Sequence, residues 1–135
     1  MKQKTSPETE FSNGITVTTV SEEVSEENSS FASLSASLAE IRKLKGVTGY
    51  ILRSSTSAII DVEDSDKIFQ YAILTSEIHE SSVEMAKQFN LGAPESILLE
   101  GENIKILCLS MDENKIDVFL EKSVNHVSII KRILL

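Results

Sequence analysis

DVEDSDKIFQYAILTSEIHESSVEMAKQFN, Asp61–Asn90, reads as a single long helix entered from an acidic loop. Asp61, Glu63, Asp64 and Asp66 put negative charge where a helix N-terminus attracts it, and Asp64 or Ser65 can cap the first free N–H groups. Neither Gly nor Pro interrupts the run before Gly92 and Pro94, which are stop signals. At about 1.5 Å per residue the helix would be roughly 40 Å long, enough to cover a sheet face with surface left over.

On a wheel of about 100° per residue, Ile68, Tyr71, Ala72, Leu74, Ile78, Val83, Met85, Ala86 and Phe89 share one broad arc, with Thr75, His79 and Ser82 inside it. Gln70, Glu77, Glu80, Ser81, Glu84, Lys87 and Gln88 lie opposite. Phe69 and Ile73 break the pattern: four apart, they are neighbours among polar residues. A surface helix ordinarily has one apolar stripe. Here either the core face is broad, or the helix touches another subunit or a partner protein as well as its own sheet.

The rest of the chain supplies that sheet. Ser29 and Ser30 open a first helix, with Phe31, Leu34, Leu38, Ile41 and Leu44 on one face and Gly46 as its stop. Strands follow at Val47–Leu52 and Ala58–Val62, then, after the long helix, at Ser96–Glu100, Ile104–Ser110 and Lys115–Leu120. The Ile104 strand is apolar on both alternating sets, so both its faces are covered. A last helix begins near Ser123. Short turns make the strand pairs antiparallel. The expected fold is α/β: a five-stranded antiparallel sheet sandwiched by helices, in the order α-β-β-α-β-β-β-α.

Residues 1–28 differ in kind. Glu8, Glu10, Glu22, Glu23, Glu26 and Glu27 against Lys2 and Lys4 leave −4 here, half of the chain's −8. Rich in Ser, Thr and Glu, this stretch is expected to be a mobile acidic tail ahead of a domain spanning 29–135. Within it Ile15–Val20, after the turn pair Asn13-Gly14, is either an added edge strand or loose, and the loose reading is preferred.

Composition excludes several functions. The acidic balance argues against nucleic acid or an anionic membrane as main partner. One Cys cannot form an internal disulfide, no run spans a bilayer, and no secretory signal opens the chain, so a cytoplasmic protein is expected. No phosphate-binding glycine loop or dinucleotide fingerprint is present. His79-Glu80-Ser81-Ser82-Val83 misses the zinc-protease motif because its second His position holds Val83. A calcium loop starting at Asp61 would need Gly and Glu where Asp66 and Ala72 stand. Cys108, mid-strand, reads as a buried inert thiol and His79 as a core histidine. No catalytic set assembles, and no metal or cofactor is expected: the chain reads as a binding module.

Leu38 and Ile41 before Gly46-Val47-Thr48-Gly49-Tyr50-Ile51-Leu52, the long helix ending in Phe89-Asn90-Leu91-Gly92, the three-strand meander and a last helix beginning in Ser123-Val124-Asn125 form an ordered set. That set resembles the roadblock family, dynein-light-chain-type regulators of small Ras-like GTPases, over about residues 30–135. The turn at Ser54–Ser57 departs from the family's usual Asp-Gly. The resemblance implies a roadblock/profilin-like sandwich that pairs with itself or a paralogue, the strand with Ile97, Leu98 and Leu99 joining its copy across a two-fold axis. It also implies a non-enzymatic scaffold for a small Ras-like GTPase, able to modulate hydrolysis by repositioning the GTPase's own switch loops. Phe69, Ile73, Glu77 and Glu80 are the expected helix surface for the sister subunit or the partner. Two other readings are carried: a small-ligand sensor of PAS or GAF type, needing a pocket at Tyr71, Thr75 and His79, and a longin-like adaptor.

Overall fold

The computed structural model describes residues 8–11, 15–19 and 26–135, with side chains from Ser30 onward. Along the chain run β1 (Glu8–Phe11), β2 (Ile15–Thr19), α1 (Glu26–Ile41), β3 (Val47–Arg53), β4 (Ala58–Val62), α2 (Ile68–Gln88), β5 (Ser96–Glu100), β6 (Ile104–Met111), β7 (Asn114–Glu121) and α3 (His126–Leu134). The strands form one sheet in the order β1-β2-β4-β3-β7-β6-β5, and every neighbouring pair is antiparallel. From α1 onward the element order is the expected one, and β3–β7 are its five strands. The N-terminal hairpin adds two more. Ile15–Thr19, expected to be loose, instead pairs with Val62–Ala58 at all five positions; residues 1–7, 12–14 and 20–25 of the acidic segment lie outside those described.

Boundaries shift for local reasons. α1 starts at Glu26, ahead of Ser29, and gives way after Ile41 to turns that reach Gly46. Asp64 does cap, but its Oδ1 accepts from Asp66 N at 3.1 Å within a single 3-10 turn, Ser65–Lys67, so α2 proper begins at Ile68. At 21 residues α2 is about 32 Å long instead of roughly 40 Å. α3 starts at His126, after Ser123, because Asn125 Oδ1 accepts from Val127 N at 2.9 Å and fixes the first turn there.

Two apolar layers flank the sheet. On one side Leu34, Leu38 and Ile41 of α1 and Ile129 and Ile133 of α3 pack on Tyr50, Leu52, Leu107, Leu109, Ile116, Val118 and Leu120. On the other, α2 lies over Ile51, Val62, Ile106, Cys108 and Phe119, with Tyr71 stacked on Phe119 at 4.5 Å between ring centroids. The β6 strand is buried from both sides, as its doubly apolar sequence predicts.

The Gly46-Val47-Thr48-Gly49 opening of β3 has a steric cause. Gly46 sits at φ +89°, and a Cβ there would overlap Val124 of the loop before α3. At Gly49 a Cβ would stand 2.7 Å from Asp61 O and 2.9 Å from Val62 Cα, so only a glycine lets β4 come this close. A register shift between Val47 and Gly49 marks the same spot.

One residue later, Tyr50 is buried opposite Asp61. Burial, reinforced by Asp61 and opposed by Arg42, pushes its phenol from 10.0 up to about 12. The unfolded chain therefore releases this proton near the ordinary value while the folded chain still holds it. That contribution is intact below pH 10.0 and is lost as pH rises toward about 12. Denaturant melts across that window should show Tyr50→Phe losing less stability with pH than the parent.

Candidate functional site

Beneath the middle of α2 lies a buried ionic cluster. Asp117 interrupts the apolar run of β7 and is fully buried. Its Oδ2 accepts from Arg53 Nη2 of β3 at 3.1 Å, and its Oδ1 accepts from His79 Nε2 of α2 at 2.7 Å. Arg53 also donates to Thr75 Oγ1 at 3.1 Å and Ser76 Oγ at 2.7 Å. Thr75 in turn donates to Tyr71 O at 2.9 Å. One arginine thus neutralises the buried carboxylate and fastens α2 to the sheet through Thr75, which a wheel places inside the apolar arc, and through its neighbour Ser76. Burying a carboxylate is tolerable only with this degree of pairing.

Donor atoms of His79, Cys108 and Asp117 all lie within 4.8 Å of one another, and all three residues are buried. Imidazole, thiol and carboxylate are ligand types that suit zinc. Two features oppose a cation here. Arg53 already supplies the positive charge on Asp117. Burial, with Asp117 beside it, pushes the Cys108 thiol well above its ordinary range, so the thiolate a metal needs is disfavoured. The arrangement does the work of a structural clasp. Tyr71, Thr75 and His79, the residues a sensor pocket required, are stacked on Phe119, bonded to Arg53 and paired with Asp117 respectively. A cleft of roughly 370 Å3 does open at the helix's C-terminal half, between His79, Glu80, Val83, Glu84 and Lys115.

The second feature is what α2 leaves uncovered. Among its residues Ile68, Thr75, His79 and Ala86 are buried, a line half of which is polar. Leu74, Val83, Met85 and Phe89, placed by periodicity on the core arc, are 37%, 43%, 60% and 69% exposed. Periodicity finds the apolar arc but cannot say how much of it the sheet reaches. Two flanks result. Tyr71 lies over Phe119 of β7, and Leu74, Ile78, Met85 and Phe89 continue round that side toward β6 and β5. Ala72 and Ser76 lie over Arg53 of β3, and Phe69 and Ile73 continue round the other side toward β4. Phe69 is 82% and Ile73 65% exposed, and Glu77 and Glu80 are exposed with them.

β5 is the far edge of the sheet. It pairs with β6, and among the described residues nothing pairs on its other side. Ile97 packs in the α2 layer, Leu98 in the opposite layer, and Leu99 is 44% exposed. The expected edge-strand residues and the expected helix residues therefore stand apart: Phe69 and Ile73 face away from β5. The α2 flank turned toward β5 carries Leu74, Met85 and Phe89 instead, which periodicity assigns to the core. His79 and Cys108, taken singly, look like inert core residues, and their meeting with Asp117 escapes a reading along the chain. The one signal of it is the lone carboxylate inside Ile116-Asp117-Val118-Phe119, which requires a buried cation from elsewhere.

Comparison with known proteins fits this geometry. The model of the Roadblock/LC7 domain matches residues 30–116. A crystal structure of a Roadblock/LC7 domain from Streptomyces avermitilis superposes with a TM-score of 0.60 at 12% identity, covering 78% of this chain and 86% of that one. At that identity the likeness is one of fold. No curated protein sequence matches the chain. The match over most of the folded region, with the helix-and-sheet order described above, places the chain in the Roadblock/LC7 family of small protein-interaction domains, a family generally without enzymatic activity.

Proposed function

We propose that two copies of this domain associate through β5 and the adjoining flank of α2, and that the pair is a scaffold for a small Ras-like GTPase. The observation that carries this reading is the coincidence of an unpaired strand edge with Leu74, Met85 and Phe89 exposed on the flank of α2 turned toward it. An open apolar edge invites a strand, and a two-fold axis is the commonest way to supply one. Antiparallel self-pairing of β5 would join two sheets and bring two copies of that flank together.

The other flank then stays free in the pair. It carries Phe69 and Ile73 at one end and Glu77, Glu80 and Glu84 further along, an apolar anchor with an acidic rim. We assign it to the partner instead of the sister subunit, because it lies on the side of α2 away from β5. No arginine stands exposed there, so any effect on GTP hydrolysis would act through the GTPase's own switch loops. Within the described residues no helix is long and apolar enough to cross a membrane.

The test is capture of GTPases from native lysate on the immobilised chain, with the GTPases held in the GTP-like or GDP state. Phe69→Asp with Ile73→Asp should weaken capture at least about tenfold while leaving the mass of the pair unchanged, since anchors of this kind dominate interfaces. Recovery of no Ras-like GTPase in either nucleotide state would overturn the assignment.

A further inference from the structure

The five strands β3–β7 would by themselves present two edges, β4 and β5. β4 reads Ala58-Ile59-Ile60-Asp61-Val62, an apolar edge fit to pair with another strand. It is covered along its whole length: each residue from Ala58 to Val62 has a partner in β2, Thr19 to Ile15. The cover comes from outside the family domain, whose match starts at residue 30. Its sequence is built for the task. Ser12-Asn13-Gly14 separates two strand segments, with the Asn-Gly pair that favours hairpins. The new outer edge, β1, has four residues, two of them Glu. Short, charged strands are the usual means of keeping a sheet edge from recruiting neighbours.

We propose that the β1–β2 hairpin is a cover that stops β4 from pairing with β4 of another copy. This role rests partly on the β5 pairing proposed above. A subunit with two self-pairing edges, β4 and β5, joins alternately through each and makes an open-ended ribbon. Capping one edge makes association stop at two.

The test uses the full chain with Thr16→Pro and Val17→Pro together. Successive N–H groups of a strand point to opposite neighbours, so the two changes remove one donor from each ladder of β2. Thr16→Val with Val17→Thr keeps both donors and serves as control. Light scattering with rising concentration and amide exchange at Ala58–Val62 are read together. The expected result for the proline variant is faster exchange in β4 and a mass that climbs past the parent's, while the control matches the parent. An unchanged mass despite faster exchange overturns the proposal, because the bared edge is then not adhesive. Unchanged exchange also overturns it, because the hairpin is then not the cover. A control that climbs as well overturns it by removing the backbone ladder as cause. A parent that stays a single copy while the proline variant pairs would sink the β5 reading alone.

Discussion

Arg53→Met is expected to lower the unfolding free energy by about 3–5 kcal/mol, the usual cost of stranding one partner of a buried ion pair. Asp117 has no exposure to water, whereas Arg53 retains 23% of its side chain's. Removing the arginine is therefore the harsher deletion: the carboxylate keeps His79 but loses its counter-charge. Thr75 and Ser76 lose their donor too, so α2 loses its anchor on β3. Against a typical total of about 5–15 kcal/mol, this is a large share of the folding free energy. The measurement is the denaturant midpoint, with the slope unchanged if the unfolded state is the same. The contrast that identifies the cause is Arg53→Met with Asp117→Leu. Removing both charges should restore much of the loss, since an apolar pair of similar volume is often as stable as a buried ion pair. A single variant within about 1 kcal/mol of the parent, the scale of an exposed pair, would show that the cluster is not the clasp described.

Met85→Glu with Leu99→Glu is expected to turn a two-copy particle into single copies. Met85 is 60% and Leu99 44% exposed, so neither change should disturb the subunit's own core. Across a two-fold axis each new carboxylate is present twice, on a surface whose chain already carries −8. Removing an apolar anchor from the centre of an interface costs about 2 kcal/mol or more, roughly a thirtyfold weakening, and repulsion adds to it. Light scattering and melting temperature together give the answer. The particle mass should halve under conditions where the parent is paired, with the thermal transition of the subunit retained. A parent found as single copies, or a variant that still pairs, would rule out the β5–α2 surface as the interface.

Together these variants separate two kinds of polar and apolar placement on one helix. Thr75 and His79 are polar yet indispensable to the inner line of α2, while Leu74, Met85 and Phe89 are apolar yet exposed. A wheel sorts residues by chemistry, and here chemistry and burial disagree in both directions. The interior line could be polar because Arg53 and Asp117 meet it from two strands, and the exterior could be apolar because a sheet under a single helix reaches only its inner line. Neither cause is local to the helix.

Legible along the chain were the succession of elements, the double burial of β6, the helix stop at Gly46, and the surplus of apolar surface on the long helix. Each rests on a short-range regularity: period, turn chemistry or the absence of a side chain. Packing in three dimensions had to establish which apolar residues of α2 meet the sheet, that Phe69 and Ile73 face away from β5, and that Arg53, His79, Cys108 and Asp117 share one buried site. Those four come from β3, α2, β6 and β7, and Arg53 and Asp117 are 64 residues apart. Strand order brings them together, and no spacing along the chain encodes that order.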